Sequence, residues 1–321
     1  MSGPAALRVG TRGSTLALWQ TERVRRLLAE GGHATERIEI RTTGDMVQDV
    51  PLARIGSAAL FTRQIDEALL AGRIDLAVHS LKDLPTVLPD GLALAAVSER
   101  EDPSDALVGR GPVRWSDLPR GGTVATSSLR RKAQLLHARP DLQVTDLRGN
   151  VDTRLRKLDA SDWSAILLAA AGLVRLDLGH RIGERLPAEV MLPAPGQGAL
   201  AVTARQDDRR AIEAARSAVH HRTSALAVSA ERAFLRRMEG GCQVPVAARA
   251  ALEGGATLRL QGRVIALDGS RMAEGREAGA VRELADAERL GVMLAERLLR
   301  EGAAEILAEI RAGTAPAVSE P

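Results

Sequence analysis

Apolar and polar positions alternate along this chain in two periods, near two and near 3.6, and the switches between them mark out strands and helices. Leu7-Arg8-Val9-Gly10 reads as a strand. Thr11-Arg12-Gly13-Ser14 is a turn with Ser14 placed to cap a helix, whose apolar face carries Ala17, Val24, Leu27 and Leu28 and stops at Gly31-Gly32. A short strand over 37–41 leads into a long connection, 42–59, containing Gly44, Pro51 and Gly56. Connections of this length in a compact domain are usually lids or disordered. Phe61, Ile65, Ala68 and Leu69 restore a helical stripe. The run 74–79 alternates as a strand and ends in the turn Ser80-Leu81-Lys82-Asp83-Leu84-Pro85, and 91–97 reads as another buried strand.

Residues 98–104 are charged, lack apolar side chains and include Pro103, the composition of a linker. A second α/β unit follows. Its strands are expected at 123–126 and 144–147 and in the apolar run 163–170. Ser127-Ser128 and Asn150 stand where helix caps are needed. Residues 192–198, rich in proline and glycine, look like a second linker, and a strand resumes at 199. Two linkers between α/β units imply that the chain returns to its first lobe and leaves a cleft between hinged lobes. A helix over 207–219 and another capped by Thr223 or Ser224 precede Cys242; beyond it come alternating Leu258, Leu260, Val264 and Ala266, a turn at Asp268-Gly269-Ser270 and a helical stretch over 282–311. The expected division is an α/β lobe from 1–98 with 199–219, a second α/β lobe from 104–193, a smaller α+β domain from 220–314, and a disordered tail, 315–321.

Composition narrows the function classes. The 321 residues are 45% hydrophobic, ample for several cores. A single cysteine excludes an internal disulfide framework and a multi-cysteine metal site, and no metal is expected. No stretch approaches the roughly 20 apolar residues of a membrane span, and the first eight residues lack the apolar core of a signal peptide, so a cytoplasmic protein is expected. The bases are nearly all arginine; Lys82, Lys132 and Lys157 are the only lysines. Arginine grips carboxylates and phosphates with two parallel hydrogen bonds. A net charge of +3, no tyrosine and two phenylalanines argue against a platform for single-stranded nucleic acid.

The candidate chemistry gathers where strands end. Arg12 and Ser14 sit at a helix N-terminus after a strand, a place that suits an anion. Lys82 and Asp83 sit together at a strand's C-terminal end, where open α/β sheets bind ligands. Ser128, Arg130 and Arg131 form a second helix N-terminus with hydroxyl and guanidinium donors. Arg148, Arg154 and Arg175 follow later strands. Each could be a solvated surface arginine, but their shared position favours an anionic ligand. Cys242 lies in Glu239-Gly240-Gly241-Cys242-Gln243-Val244-Pro245, a glycine loop between a helix and an extended segment. A thiol so presented can be a nucleophile or an attachment point; it can equally be a small buried apolar group.

Six stretches, in order along nearly the whole chain, together resemble the porphobilinogen deaminase (hydroxymethylbilane synthase) family. They are Thr11-Arg12-Gly13-Ser14 with Leu18-Trp19-Gln20, Ala77-Val78-His79-Ser80-Leu81-Lys82-Asp83, Thr126-Ser127-Ser128-Leu129-Arg130-Arg131, Leu147-Arg148-Gly149-Asn150-Val151-Asp152-Thr153-Arg154, Pro195-Gly196-Gln197-Gly198-Ala199, and Glu231-Arg232 through to Pro245. The resemblance implies two α/β lobes like those of periplasmic solute-binding proteins plus an α+β domain. It implies a transferase of haem biosynthesis that condenses four porphobilinogens head to tail, releasing ammonia each time, and acts as a monomer. It implies a dipyrromethane cofactor held through a thioether at Cys242. By the same matching, Asp83 is the catalytic carboxylate and, with Lys82, Ser128, Arg130 and Arg131, contacts the cofactor. Arg12, Ser14, Gln20, Arg148, Arg154 and Arg175 would hold substrate or growing chain.

The chemistry of that reaction suits the residues. Each pyrrole unit brings an acetate and a propionate, and arginines meet the accumulating carboxylates with charge-assisted bonds. Loss of ammonia leaves an electron-poor azafulvene, and a fixed carboxylate beside it stabilises the charge and can relay protons. A two-lobed anion-binding module without chemistry accounts for the linkers and arginines, but not for Lys82-Asp83 or a thiol on a glycine loop. A nucleic-acid binder fits the arginines alone. One departure stands out: many family members carry Gly-Gly-Lys-Gly-Leu-Phe in the lid, whereas this chain has Gly56-Ser57-Ala58-Ala59-Leu60-Phe61, with Arg54 as the nearby base. Activity is expected to survive this change with weaker substrate capture. Ala58→Lys should therefore lower KM in a steady-state assay; unchanged KM and kcat would remove the lid contact from the account.

Overall fold

The computed structural model describes residues 5–42, 62–238 and 244–314. The expected lid stretch with Arg54 and Ala58, residues 239–243 with Cys242, and residues 315–321 lie outside the described residues. In chain order the strands are β1 (Leu7–Thr11), β2 (Thr35–Glu39), β3 (Leu76–Ser80), β4 (Leu92–Val97), β5 (Asp105–Val108), β6 (Thr123–Ala125), β7 (Gln143–Thr145), β8 (Ala165–Ala169), β9 (Glu184–Arg185), β10 (Leu200–Arg205), β11 (Val246–Glu253), β12 (Thr257–Ile265) and β13 (Met272–Ala280). They form a mixed α/β fold of three sheets. The first has the order β2-β1-β3-β10-β4, the second β7-β6-β8-β5-β9, and the third is the antiparallel β11-β12-β13.

The two larger sheets share one plan. In each, four strands share one direction and a fifth, β10 or β5, is inserted antiparallel between two of them. That antiparallel strand is the first to follow a crossing from the other sheet: β5 follows 98–104, and β10 follows 192–199. The crossings lie side by side. Ser98 N–H donates to Leu200 O at 3.0 Å and Glu101 N–H to Gly198 O at 3.1 Å. Gly198 takes φ = 91°, and an added Cβ there would strike the Glu101 carbonyl, so the close approach requires glycine.

Hydrophobic pattern explains the layers. In β5 and β8, Val108, Ile166 and Leu168 pack toward Leu155 and Leu158, while Leu107 and Leu167 face Leu135 and Met191. Both faces are covered, which is why 165–169 reads as an unbroken apolar run. In β12, Leu258 and Leu260 are buried while Thr257 and Arg259 are exposed. One face of the third sheet therefore meets Phe234 and Leu294 of the helices Arg222–Arg237 and Leu284–Leu298.

Some local expectations need correction. The second strand is Thr35–Glu39, shifted toward the N-terminus from 37–41. The helix after 220 is capped by His221, whose ring Nδ1 accepts from Ser224 N–H at 3.4 Å; Ser224 Oγ instead accepts from Arg100 N–H. This helix ends at Arg237 with Met238 as its C-cap, ahead of the glycines. The strands β5 and β9 were not expected, because Asp105 looks like linker and β9 has two residues. The final helical stretch bends at Glu301 and Gly302, where φ reaches 105°, and continues to Thr314.

Glu231 fastens the crossings to the third sheet. Its carboxylate is fully buried and pairs with Arg100 at 2.7 and 3.0 Å. It also accepts from Gly196 N–H at 2.7 Å and Ala250 N–H at 2.6 Å. Replacing Glu231 with Ala leaves a buried guanidinium and two backbone donors without their acceptor. We expect a stability loss of about 3–5 kcal/mol, read as a lowered urea midpoint, and a smaller loss for Glu231→Gln.

Candidate functional site

The C-terminal ends of the parallel strands in both large sheets converge beside the crossings. Strand β3 runs into a single 3-10 turn, Leu81–Asp83, which carries Lys82 and Asp83. Strand β6 is followed by Ser128, which caps the helix Leu129–Ala138 by accepting from Arg131 N–H at 3.4 Å. Strand β7 leads to Arg148, Gly149 and Asn150; Asn150 caps the helix Val151–Asp159, which bears Arg154. Strand β8 leads directly into the short helix Ala170–Arg175.

The centre of this region is Asp105, the first residue of β5. It is fully buried and is held at 2.6 Å by Arg130 and at 2.7 and 2.9 Å by Arg131. Burial alone would raise its carboxyl, but the two guanidiniums outweigh that and hold it well below the usual carboxylate range. One further donor of each reaches a carbonyl, Arg130 to Leu192 O and Arg131 to Leu167 O. Expected only as free anion binders, the two arginines are thus also lobe-internal clamps. Gln197 joins this cluster to Lys82. Its Oε1 accepts from Lys82 Nζ at 3.0 Å, and its Nε2 donates to Asp105 Oδ1 at 3.0 Å.

Cations crowd the site. The Lys82 amine is pushed down to about 8, chiefly by burial; Asp83 and Asp105 oppose the fall and Arg131 and Arg130 add to it. Burial pushes Arg154 down to about 10, Arg131 and Arg148 add to the fall, and Asp83 opposes it. The groups that feel one another are thus Lys82, Arg130, Arg131, Arg148 and Arg154 on one side and Asp83 and Asp105 on the other, five cations against two carboxylates. Such an excess in a partly buried cleft suits a ligand carrying several carboxylates.

The other expected residues lie around this cluster. Gln20 is buried and donates to Ser80 Oγ at 2.8 Å; with Leu16, Lys82, Arg175 and Gly198 it lines an adjoining crevice between the lobes. Arg175 donates to Gly198 O at 2.5 Å and lies 5.8 Å from the Trp19 ring centre. Ser14 caps the helix Thr15–Glu30 by accepting from Ala17 N–H at 3.4 Å. Arg12 lies near the buried His79, which burial first and that charge second push down to about 4. Asn150, Ser128 and Ser14 act in helix caps; Lys82, Asp83, Arg130, Arg131, Arg148 and Arg154 come together; Cys242 lies outside the described residues. Asp105, Gln197 and Glu231 were not singled out. For Asp105, the one available signal is a lone carboxylate opening the apolar run Ala106-Leu107-Val108.

The family model described as "Porphobilinogen deaminase, dipyromethane cofactor binding domain" matches residues 7–213, and "Porphobilinogen deaminase, C-terminal domain" matches 225–300. The chain is 50% identical over 309 residues to the porphobilinogen deaminase of Geobacter metallireducens, covering 96% of this chain and 95% of that protein. It is 52% identical over 305 residues to that of Rubrobacter xylanophilus, covering 94% and 97%. A solved nutrient binding protein from Burkholderia cenocepacia, bound to methionine, aligns with 65% of this chain and 89% of its own at 15% identity and a TM-score of 0.42.

The pH dependence of the site follows from Lys82. Its charge is present below about pH 8 and lost as pH rises through that value, well before an ordinary lysine at 10.5. Calorimetric binding of a dicarboxylate probe should weaken from pH 7 to pH 9, and Lys82→Met should flatten that dependence.

Proposed function

This chain belongs to the porphobilinogen deaminase family, and from that premise we propose that its Lys82-Asp83 turn, set among the arginines, is the catalytic centre. The chain is a transferase of tetrapyrrole synthesis with a dipyrromethane cofactor. The reaction joins four porphobilinogens head to tail into linear hydroxymethylbilane with release of ammonia at each addition. One observation carries the site assignment: at the strand ends Lys82 and Arg154 both feel the Asp83 carboxylate, and Gln197 links Lys82 to the Asp105–Arg130–Arg131 cluster.

The residues present fit the cofactor. A dipyrromethane carries carboxylate side chains, and the cationic excess around Asp83 is what such a group requires. When bound, the cofactor supplies a pyrrole carbon at which the chain grows. Lys82, Ser128, Arg130 and Arg131 would hold its carboxylates, and Cys242 would be its attachment point. Arg130 and Arg131 serve this role from a fixed frame, because Asp105 already orients both guanidiniums. Arg12, Ser14, Gln20, Arg148, Arg154 and Arg175 would receive the carboxylates of substrate and growing chain.

Asp83 acts on the substrate. As the C–N bond to the aminomethyl group breaks, positive charge develops on the pyrrole ring, and the Asp83 carboxylate stabilises it in place. The aminomethyl group, protonated near neutral pH, departs as ammonia with its own proton, and the carboxylate can then accept the proton lost from the carbon where the new bond has formed. Arg154 and Lys82 set positive charge close to the Asp83 carboxylate, since each feels it.

The division into lobes 1–98 with 199–219 and 104–193 and a third domain 220–314 belongs to the same proposal, supported by the three separate sheets. So do a monomeric state and a cytoplasmic location; among the described residues no helix is long and apolar enough to cross a membrane. Two measurements test the reading together. Intact mass of the purified chain should exceed the sequence mass by two linked pyrroles, with the adduct on Cys242. Asp83→Asn should retain the fold and the adduct yet lose most turnover; near-normal turnover in a loaded variant would take Asp83 out of the catalytic role.

A further inference from the structure

We propose that Gln197 is a positioning residue for the reaction: its carboxamide fixes the Lys82 ammonium and holds it in register with the Asp105–Arg130–Arg131 cluster of the opposite lobe. The inference rests on the reading of Lys82 and Asp83 as the catalytic turn. In the sequence, Gln197 sits inside what reads as a linker.

Three observations support it. First, both ends of the side chain are used, and by groups of opposite charge. Oε1 accepts from Lys82 Nζ at 3.0 Å, while Nε2 donates to Asp105 Oδ1 at 3.0 Å and to Pro103 O at 2.7 Å. An amide has one accepting and one donating end, so this arrangement is directional. Turning it over would set an NH2 against an ammonium and an oxygen against a carboxylate. Second, the backbone of Gln197 is held. Its N–H donates to Ala194 O at 2.9 Å and its carbonyl accepts from Arg100 Nε at 2.8 Å. The flanking Gly196 and Gly198 have φ of 77° and 91°, and Gln197 itself is buried. Third, the partner is a lysine in a chain with only three lysines. An ammonium on a four-carbon stem has no preferred direction of its own, unlike a guanidinium, and needs a fixed acceptor to be placed.

The groups that face Lys82 are Asp83 on its own turn and Asp105, Arg130 and Arg131 across the cleft. Of these only Asp105 touches Gln197, and without that contact it keeps its hydrogen bonds from Arg130 and Arg131. The lobes also stay joined without its side chain, because the Glu101–Gly198 backbone bond and the Arg100–Glu231 pair are separate from it.

The experiment exploits the scarcity of lysine. With lysine labelled at 13Cε, the holoenzyme should give three resolvable signals, assigned by single substitutions. In Gln197→Met, which keeps length and removes the side-chain hydrogen bonds to Lys82, Asp105 and Pro103, the ammonium loses an acceptor that favours its charged form. The Lys82 midpoint should fall by about half a pH unit, Lys132 and Lys157 should not move, and kcat should drop roughly ten-fold, the loss expected for a hydrogen bond to a charged group. In Gln197→Glu the new carboxylate favours the charged form, so the midpoint should rise instead. A purely structural role for Gln197 would not reverse sign between these variants. An unchanged Lys82 midpoint in both overturns the proposal, as does a moved midpoint with unchanged kcat while Lys82→Met is inactive. If Lys82→Met itself retains full turnover, the catalytic reading of Lys82 fails instead, and the positioning role falls with it.

Discussion

A carboxylate with no access to water, Asp105, sets the terms for the rest of the cleft. Burying an ion costs several kcal/mol unless its partners are close and well aimed. Asp105 meets that condition with two arginines and an amide, drawn from the helix Leu129–Ala138 and from the second crossing. Its consequence is order in the arginines. Two guanidiniums held by a common anion have defined directions before any ligand arrives, so less entropy is lost when a carboxylate binds them. The excess of positive charge around Asp83 is then tolerable, because part of it is already neutralised in the lobe interior.

Much of this fold was legible in the sequence, and the parts that were not have physical reasons. Strand ends followed by hydroxyl caps were readable at Ser14, Ser128 and Asn150 because capping chemistry is local. The clustering of Lys82, Arg131 and Arg154 was inferred from their repeated place after strands, a rule of α/β topology. Asp105 was hidden because its partners are 25 and 26 residues away and its neighbours Glu101 and Asp102 disguise it as linker. Glu231 was hidden for the same cause: its acceptor role is set by Arg100, Gly196 and Ala250, which no period in the sequence connects. Both crossings have the composition of linkers, but composition says nothing of the contacts Gln197 makes inside one of them.

The third sheet contributes differently. It touches the cleft through the crossings: Glu231 reaches Gly196, and Ala248 N–H donates to Pro193 O at 3.1 Å. Arg263 on β12 adds a link at 2.8 Å to Gln134, which in turn holds Leu192. These contacts fasten the second crossing to the third sheet and its helices.

The exchange of strands between the large sheets has a consequence for synthesis on the ribosome. Strand β4 bonds to its sheet only through β10, which lies more than a hundred residues later in the chain. Until β10 has emerged, β3 and β4 have nothing between them, and the N-terminal sheet is left with an unsatisfied gap. The second lobe has all five of its strands before that point. The nascent chain can therefore complete its middle before its beginning, and the cleft comes into existence only when β10 closes the first sheet.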